Sequence, residues 1–554
     1  MPVGFRGRTR CKSAFAYYII IIAAMFVISK ERLSMKDLTT SIYTFENLIK
    51  GNFLYVDKTE YIWKLLKPAQ GYYFLSRPRR FGKSLLISTL KAIFEGKKKL
   101  FQGFALYDKP YKWEKHPVIH LSFGDYSPIY NTVEKVDDYL LGKINSLAKQ
   151  HKLPPPTTNV ATAAFGELID TLSQKQQIVI LVDEYDKIIL DNIANPNVKD
   201  IRQCLKGFYS VLKDRNAVER LLFITGVSKF SHVSLFSDLN NLTDITLDSE
   251  YADMLGFSEQ DIREFFADRI PTAAQANGVS EEELMRNLLE WYDGYRFSKA
   301  DTHVCNPVSI STFFERKYDF SNYWDSTGTP SFLLELMHKK GYDHEAALEQ
   351  WYGEEIFSAY ELDNLDITGM LWQTGYLTIK DARQGITGTK YLLDFPDKEV
   401  KQTFMSRLLE AYSGLNKGLP LPLIEKFYNA IWDGDVDVFL AIMQSFFAGI
   451  DYTLHVKSEK YYQTIFFIIF KLLGIFIEAE SHTNIGRIDA YIRTLKAIYI
   501  FEFKLNKTAK RAVAQIINNR YYEKFQNSGM PIRLIGVNFN STKGNIDRWQ
   551  EKKA

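Results

Sequence analysis

Cysteine is scarce in this sequence and is nowhere paired. Three cysteines occur among 554 residues, at Cys11, Cys204 and Cys305, and no two of them form a C-x-x-C pair. A disulfide framework needs more cysteines and a zinc knuckle needs closer ones, so the sequence argues against both. The scattered thiols fit the reducing cytoplasm, which is the location that the sequence favours.

A hydrophobic run long enough to cross a bilayer is also missing. The main apolar stretch, residues 14–28 (AFAYYIIIIAAMFVI), has 15 residues and follows a basic segment at 6–12. A membrane-spanning helix needs about 20 residues, and a basic segment before a short apolar core also resembles a signal peptide. A translation start at Met35 is the favoured interpretation of this extension (1–34), with a membrane anchor and a signal peptide as the alternatives.

Neither sign of charge dominates the chain. It has 69 Lys and Arg against 66 Asp and Glu, a net charge of +3. Residues 1–34 hold six basic residues and one acidic residue, so the chain from Met35 carries a net charge of −2. The overall charge therefore indicates no nucleic-acid partner, and any basic surface must be local.

Strand and helix patterns alternate between residues 50 and 250. The predicted elements are strands at 71–76, 117–123, 178–184 and 220–227, and helices at 83–96 and 201–215. Strands that are apolar on both faces and alternate with helices favour a parallel sheet covered on both sides. The expected domains are an α/β domain over 35–249, a mostly helical region over 250–445 and a second α/β domain over 446–554.

The segment YFLSRPRRFGKSLLISTL, residues 73–90, has the features of a phosphate-binding loop. Gly82 lets the backbone approach a phosphate closely at the amino end of the predicted helix. Lys83 can neutralise the β- and γ-phosphates, and the Ser84 hydroxyl can bind Mg²⁺. Because this tripeptide stands between a predicted strand and a predicted helix, the sequence predicts binding of ATP and Mg²⁺.

One glycine of the full phosphate-loop pattern is replaced. The pattern has a glycine five residues before Gly82, where this chain has Arg77. Arg77 and Pro78 can stiffen the same turn, while Arg79 and the following arginine add positive charge. The residues expected to hold the nucleotide at this loop are Arg80, Phe81, Gly82, Lys83 and Ser84.

Two later strands supply polar groups for the same site. The stretch IVILVDEYDKII ends its apolar run at Asp183 and Glu184. An aspartate at the end of a strand can hold Mg²⁺, and the next glutamate can polarise the attacking water. The alternative is an ordinary acidic turn. Thr225, in LLFITGVSKFS, is expected on a strand between the two motifs, where it can reach the γ-phosphate or the water.

The C-terminal region carries a second set of polar residues, in an expected α-β-β-α-β order. GRIDAYI contains Asp489, and the next strand, AIYIFEFKL, contains Glu502 and Lys504. Side chains alternate along a strand, so Glu502 and Lys504 share a face, and Asp489 can approach them across the hairpin. Two carboxylates and a lysine suit a Mg²⁺ site with an activated water. The alternative is a solvent-facing Glu–Lys pair.

These motifs together resemble a bacterial AAA-ATPase-like family in which a nuclease-like domain often follows. The segments that carry the resemblance, from Met35 to the end, are YVDKTEYI, SRPRRFGKSLL, ILVDEYDK, FITGVSKFS, WYDGYRF, NPVSI and NYWDSTG. It implies a P-loop NTPase parallel sheet with a helical lid (250–445), plus a restriction-endonuclease-like α/β domain. It also implies that Lys83 and Ser84 bind phosphate and Mg²⁺, that Asp183 and Glu184 form the second motif, and that Thr225 is a sensor.

The last domain resembles the PD-(D/E)XK nuclease fold in its D…E-x-K pattern. The resemblance implies that Glu480 is the additional metal-binding acid beside Asp489 and Glu502, with Glu478 as a competitor. It also places Gln515 near the site, on the helix that follows. Tyr521 is weaker, because its spacing departs from a strict Q-x-x-x-Y pattern.

A basic stretch follows the D…E-x-K residues. Between 504 and 525 the chain has six basic residues and one Glu, the basic ones being Lys504, Lys507, Lys510, Arg511, Arg520 and Lys524. They can contact a nucleic-acid backbone, or form an ordinary solvated helix face. In the middle region, Arg296 is either a catalytic arginine or a packing residue, the latter being favoured. Asn306 and Trp324 are interpreted as turn and core residues.

The sequence thus predicts a Mg²⁺-dependent ATPase coupled to a nuclease-type domain. Nucleic acid is the expected partner, with DNA favoured over RNA. A homo-oligomer is a further expectation, and a membrane is a partner only if residues 1–34 are translated. The alternative is a nucleotide-dependent switch or scaffold whose nuclease fold binds nucleic acid or protein without cutting it.

Overall fold

A computed structural model describes most of the chain. The described residues are 36–229, 239, 241–324, 331–340, 342–357, 366–450, 459–484 and 487–554. The N-terminal extension lies outside them. Among the described residues, no helix is both long enough and apolar enough to cross a membrane.

The first domain is built on a five-stranded parallel sheet. Its strands are β1 Gly71–Ser76, β2 Val118–Ser122, β3 Ile178–Asp183, β4 Glu219–Gly226 and β5 Thr243–Asp244. Their order in the sheet is β2-β3-β4-β1-β5, and every pairing is parallel. The four predicted strands are confirmed to within about two residues at each end.

Helices cover both faces of this sheet. They are α1 Phe45–Lys50, α2 Thr59–Leu66, α3 Lys83–Phe94, α4 Val133–Gln150, α5 Ala161–Leu172, α6 Lys187–Asp191 and α7 Val198–Ser210. Along β3, Val179 and Leu181 join one apolar cluster, whereas Ile180 and Val182 join the other. Each strand face is thus buried against its own helical layer, as the apolar strand pattern predicted.

The middle region is mostly helical, and it also holds a small sheet. The helices are α8 Glu259–Phe265, α9 Ile270–Asn277, α10 Glu281–Tyr292, α11 Pro307–Glu315, α12 Ser331–Lys340, α13 His344–Glu349, α14 Ile367–Thr374, α15 Lys398–Ser413, α16 Pro420–Asp433 and α17 Val436–Ala448. The antiparallel strands are β6 Trp351–Tyr352, β7 Thr378–Gly385 and β8 Gly388–Asp394. The sequence analysis missed the hairpin of β7 and β8, because β7 buries only its first residues and is otherwise polar and exposed.

The C-terminal domain has two more strands than predicted. Its elements are α18 Glu459–Leu473, β9 Glu478–Asn484, β10 Arg487–Arg493, β11 Ile498–Leu505, α19 Ala509–Asn518, β12 Ile532–Asn540 and β13 Asn545–Lys553. The sheet order is β13-β12-β11-β10-β9, with β11 and β12 parallel and the other pairs antiparallel. The expected α-β-β-α-β order lacked β9 and β13, the two polar edge strands. The helix predicted over 508–526 ends earlier, at Asn518.

Helices sandwich the central strand β11. On one side, the ring of Phe439 in α17 lies 5.4 Å from Phe501, and the ring of Phe466 in α18 lies 4.4 Å from Phe503. On the other side, Ile500 belongs to a cluster with Ile516 of α19. The face of β11 that carries residues 502 and 504 is therefore the face toward α19.

Candidate functional site

The phosphate loop connects β1 to α3, as the sequence predicted. Gly82 precedes α3 with φ +89°, in the left-handed region that glycine favours. A Cβ built on Gly82 would meet no atom closer than 4.0 Å. The need for glycine here is therefore one of backbone conformation rather than of space.

Lys83 is turned into the loop. Its Nζ donates hydrogen bonds to the carbonyl oxygens of Arg77 at 2.9 Å and of Pro78 at 2.8 Å. Burial lowers the pKa of Lys83 to about 8, and the carboxylates of Asp183, Asp186 and Glu184 oppose that change. The loop carbonyls hold the ammonium at the place where phosphate oxygens would meet it, which fits a phosphate ligand.

Arg77 is buried and stabilises the loop through hydrogen bonds to backbone carbonyl oxygens. Its guanidinium donates to the carbonyl oxygens of Ser76 at 2.9 Å, Thr246 at 2.8 Å and Tyr251 at 3.1 Å. It also lies 4.2 Å from the ring centre of Phe297 in the middle region. Arg77 is therefore a buried cross-link of the turn rather than a phosphate ligand, which gives a reason for its place where a glycine is expected.

Arg80 and Phe81 are the two expected nucleotide-holding residues before Gly82, and the structure gives the Phe81 side chain another role. Both line the same cavity as Gly82. The Phe81 ring, however, is buried and packs edge-on against Tyr295 at 4.8 Å and Phe297 at 5.3 Å. Only the backbone of Phe81 is thus left for a nucleotide, while its side chain docks the loop on the middle region.

Asp183 ends β3 beside the loop. The Ser84 hydroxyl hydrogen-bonds its carboxylate, and burial raises the pKa of Asp183. The Asp183 side chain is buried, and its Oδ1 has no hydrogen-bond partner in the part of the chain that the structure describes. A buried carboxylate with one free oxygen next to a serine hydroxyl fits the oxygen ligands that Mg²⁺ prefers.

Glu184 is held in an unusual backbone conformation next to Asp183. Its φ is +55°, a value that few residues other than glycine adopt. Its side chain is half-buried, and burial is the main cause that raises its pKa. A Cβ at Gly124 would lie 3.4 Å from Glu184 Oε2, so the glycine leaves space in front of this carboxylate.

Thr225 occupies the predicted strand, but not the predicted surface. β4 lies between β1 and β3, with Thr225 paired to Leu75, which confirms the expected strand order. Its side chain is wholly buried, and it is not among the residues that line the cavity. Its backbone carbonyl instead accepts a hydrogen bond from the Tyr185 amide at 3.1 Å. The sensor role of Thr225 remains a hypothesis, without support from this geometry.

Asp186 is a site residue that the sequence analysis missed. Its carboxylate accepts hydrogen bonds from the Val227 amide at 3.1 Å, the Ser228 amide at 2.7 Å and the Ser228 hydroxyl at 2.6 Å. It thereby clamps the loop after β4 to the turn that carries Glu184. The sequence feature that could have pointed to Asp186 is the second aspartate of the segment DEYD.

One cavity brings the first set of residues together. It has a volume of about 1260 Å³, and its walls include Lys83, Ser84, Asp183 and Glu184. This is ample for a ligand of nucleotide size. Arg296 does not line it, and donates to the carbonyl oxygens of Ser298 at 3.1 Å and Lys299 at 2.6 Å. The packing interpretation of Arg296 is therefore confirmed.

Asn306 and Trp324 have structural positions in the middle region. Asn306 caps α11, since its Oδ1 accepts a hydrogen bond from the Val308 amide at 2.9 Å. Trp324 is buried. These positions agree with their interpretation as turn and core residues.

The second candidate site lies on β11. The Lys504 Nζ is 2.7 Å from Glu502 Oε1, and Glu502 is fully buried. The two side chains therefore share a face, as their spacing predicted. A buried ion pair is costly to bury for structure alone, so Glu502 fits a role as a metal ligand.

The backbone register places Asp489 beside this pair. Asp489 on β10 is directly opposite Glu502, and on its other side it is opposite His482 of β9. Glu480 is opposite Tyr491. The side chains of Asp489 and Glu480 lie outside what the structure describes, so their ligand roles stay predictions.

Glu478, the alternative to Glu480 as the additional metal-binding acid, contacts two residues of β10. Its carboxylate lies 3.5 Å from the Arg493 guanidinium and accepts a hydrogen bond from the Tyr491 hydroxyl at 3.4 Å. Among the described side chains, no group of three His, Cys, Asp or Glu residues is placed to hold a metal ion.

Two further polar residues lie on elements that contact β11. Gln515 is half-buried on α19, which packs on β11 and β12. Asn538, which the sequence analysis missed, pairs with Lys504 in the register and is almost fully buried. Its Oδ1 accepts a hydrogen bond from the Lys507 amide at 2.8 Å and so fixes the turn after β11.

Comparisons with known proteins match two separate parts of the chain to family models. A family model described as "Predicted AAA-ATPase" matches residues 39–236, and a model of the PD-(D/E)XK nuclease superfamily matches residues 457–549. The "Uncharacterized protein in vnfD 5'region" of Azotobacter chroococcum mcd 1 is 34% identical over 527 residues. That alignment covers 92% of this chain and 97% of the relative. No solved structure matches the chain.

Proposed function

The chain belongs to the family of predicted AAA-ATPases, with a C-terminal domain of the PD-(D/E)XK nuclease superfamily, and on this premise we propose that it hydrolyses ATP to control a nuclease. The ATPase part of the proposal rests on one observation. A single cavity is lined by Lys83, Ser84, Asp183 and Glu184. The nuclease part of the proposal rests on the buried pair of Glu502 and Lys504.

ATP would enter with its β- and γ-phosphates at the amino end of α3. The Lys83 ammonium would exchange the carbonyl oxygens of Arg77 and Pro78 for phosphate oxygens. Ser84 and Asp183 would hold a Mg²⁺ ion, which neutralises charge on the β- and γ-phosphates when bound. Glu184 would orient and polarise the attacking water, and Asp186 would keep the neighbouring loop in place.

Substitutions of Lys83 and Glu184 test the ATPase proposal. Lys83→Ala removes the phosphate-facing charge and is expected to abolish ATP turnover and weaken ATP binding. Glu184→Gln keeps the side-chain size and is expected to retain binding while turnover falls by about 10² or more. Turnover is measured by phosphate release and binding by calorimetry, with the exposed Lys149→Ala of α4 as the matched control. Wild-type turnover in Lys83→Ala would refute the phosphate-loop assignment.

Cleavage would take place at β11, with Asp489, Glu502 and Glu480 as the proposed holders of Mg²⁺. That ion supplies charge stabilisation at the scissile phosphate when bound. Lys504 would orient the water or steady the charge at phosphorus, and Gln515 would contact the substrate or the water. The basic residues after Lys504 would hold the nucleic-acid backbone, with DNA preferred over RNA.

Cleavage of single- and double-stranded DNA and RNA by residues 35–554 tests this half. Reactions contain Mg²⁺ or Mn²⁺, with and without ATP, beside Lys504→Ala and the control Lys552→Ala at the exposed end of β13. Cleavage is expected only when Lys504 is present. Cleavage that survives both Lys504→Ala and Asp489→Ala would assign the activity to another site.

The second candidate is a nucleotide-dependent switch that binds nucleic acid or a protein without cutting. The 2.7 Å contact between Lys504 and Glu502 fits this candidate as well, because it leaves the lysine paired with a carboxylate. Absence of cleavage under every condition, with ATP turnover intact, would select this candidate. A cytoplasmic location and a homo-oligomeric state remain parts of the proposal.

A further inference from the structure

Helix α15 packs along α18 of the nuclease-superfamily domain. Its 16 residues, Lys398–Ser413, correspond to a length of about 24 Å. Asp397 caps the amino end, where its Oδ1 accepts a hydrogen bond from the Val400 amide at 2.8 Å.

A chain of hydrogen bonds joins the phosphate loop to the amino end of α15. The Asn306 side chain donates to the carbonyl oxygen of Arg79 at 3.5 Å, a long contact, and caps α11. In the first turns of α11, the Ser309 hydroxyl donates to Glu399 Oε2 at 2.7 Å. The other oxygen of Glu399 accepts a hydrogen bond from the Trp324 amide at 2.6 Å.

The charge of the loop acts on the same glutamate. Burial raises the pKa of Glu399 to about 7, and hydrogen bonds from Ser309, Trp324 and Tyr323 oppose that change, followed by the charge of the Arg80 guanidinium. The neighbouring Asp397 is also buried, and burial raises its pKa strongly. Two buried carboxylates are costly when they are charged. This end of α15 is therefore sensitive to the groups around Glu399, and one of them, Arg80, belongs to the phosphate loop.

A second route starts from the loop after β4. Asp186 holds Ser228 in this loop, and the next amide, that of Lys229, donates to Gln373 Oε1 in α14 at 3.2 Å. Just after α14, the Tyr376 ring lies 5.0 Å from the Phe404 ring of α15. Both loops that border the phosphate site thus reach α15 through packed or hydrogen-bonded groups.

The other end of α15 is joined to the second site. The Tyr461 hydroxyl of α18 donates to the Tyr412 carbonyl oxygen at 2.6 Å, and both tyrosines are buried. Further along α18, the Phe470 ring lies 5.7 Å from Phe501. Phe501 precedes Glu502 on β11. A shift of α15 would thus be passed to the strand that carries Glu502 and Lys504.

We infer that α15 is the element through which nucleotide binding at the phosphate loop acts on the nuclease-superfamily domain. This inference rests on the proposed ATP site and names the route of its regulation. Packed side chains and rigid helices carry energetic coupling between distant sites. On the nucleotide side, α15 is reached through Ser309 of α11 and through Tyr376 after α14, and α18 packs along it.

Hydrogen exchange measured by mass spectrometry on the full chain tests the inference. Exchange is followed in α15 and in α18 (459–473), with and without ATP and Mg²⁺, and ATP affinity is measured by calorimetry. Two variants interrupt the route at opposite ends: Ser309→Ala removes the donor to Glu399, and Tyr461→Phe removes the donor to α15. The control, Ser210→Ala in α7, removes a hydroxyl that donates to the Gly207 carbonyl oxygen at 2.7 Å and has no other hydrogen bond among the described residues.

We expect ATP to change exchange in α18 of the wild type by about twofold or more. Ser309→Ala and Tyr461→Phe should each reduce that change by about half or more, with ATP affinity within about threefold of the wild type. Ser210→Ala should respond as the wild type does. An undiminished response in Tyr461→Phe would overturn the inference, because the contact between α15 and α18 would then carry no coupling. An undiminished response in Ser309→Ala alone would assign the loop side to the second route, through Gln373 and Tyr376.

Other outcomes separate this inference from the proposed function. ATP binding without any response of α18, or an undiminished response in both variants, would overturn the inference and leave the ATPase proposal intact. A response of α18 in a protein that cleaves nothing would support the inference and overturn the nuclease. Absence of ATP binding by the wild type would overturn both.

Discussion

Glu219 places a carboxyl group in the core, where the charge of Arg215 only partly offsets the effect of burial. It is buried at the start of β4, and neither of its carboxyl oxygens has a hydrogen-bond partner within the described ranges. Burial raises its pKa to about 7 from an ordinary value of 4.5. Because the folded-state pKa is raised, this group's contribution to stability is complete below about pH 4.5 and is lost as the pH rises through 7.

Glu219→Gln should therefore stabilise the protein in alkaline solution. The gain in the free energy of unfolding is at most about 3 kcal/mol at pH 8.5 and becomes small near pH 5. Thermal unfolding at the two pH values measures it, with the exposed Glu114→Gln as the control. An equal effect at both pH values would mean that Glu219 is not the titrating group.

The pKa of Lys83 leads to a second prediction about pH. Burial lowers its pKa to about 8 in the free protein, and phosphate oxygens would raise it by favouring the ammonium. ATP should therefore bind most tightly below pH 8 and lose up to about tenfold in affinity per pH unit above it. Calorimetry between pH 7 and 9.5 measures the effect. An affinity independent of pH over that range would contradict the assignment of Lys83.

The packing of α19 on β12 depends on one glycine. Gly536 is opposite Glu502 in the register. A Cβ on Gly536 would lie 2.3 Å from the Ala509 carbonyl oxygen and 2.7 Å from the Val513 amide nitrogen. Both atoms belong to the backbone of α19, so any side chain at 536 must push the helix away from the second site.

Gly536→Ala is thus expected to displace α19 and Gln515 with it. Overpacking of this kind costs about 1–3 kcal/mol of stability. Cleavage should fall by about tenfold or more while ATP turnover stays within about twofold, because the first domain is untouched. Gly142→Ala in α4, where a Cβ meets nothing within 4 Å, is the control and should be neutral or slightly stabilising. Unchanged cleavage would show that α19 does not position the site.

The C-terminal sheet takes part of its core from helices that precede it. Besides the contact of Phe439 with Phe501, the Phe447 ring of α17 lies 5.0 Å from Phe539 of β12. Gln444 of α17 donates to the Ile546 carbonyl oxygen at 2.9 Å. A fragment that begins at 446, the expected domain boundary, would lose Phe439 and Gln444 and would expose the part of the sheet that Phe439 covers.

Fragments should therefore differ in stability according to where they begin. Residues 416–554, which keep α16 and α17, are expected to melt cooperatively and at least about 5 °C above residues 446–554. Circular dichroism and size-exclusion chromatography compare them. Equal melting temperatures would show that α17 adds nothing to the domain and that the boundary at 446 is sufficient.

The sequence by itself determined the local parts of both sites. Gly82, Lys83 and Ser84 stand between a strand and a helix, and Glu502 and Lys504 share a face, because strand alternation and loop chemistry depend only on neighbouring residues. The parallel sheet followed from strands that are apolar on both faces. The sequence analysis missed the edge strands β9 and β13 and the hairpin of β7 and β8, because strands rich in polar residues lack that pattern.

Only the tertiary structure decided which residues act across long stretches of chain. It gave Arg77, Asp186 and Asn538 their hydrogen-bond partners and buried Thr225 away from the cavity. It also packed α15 along α18 of the C-terminal domain. Each of these outcomes depends on contacts between residues far apart in the sequence, and burial and hydrogen bonding at such contacts are set by how the elements pack, which no local pattern specifies.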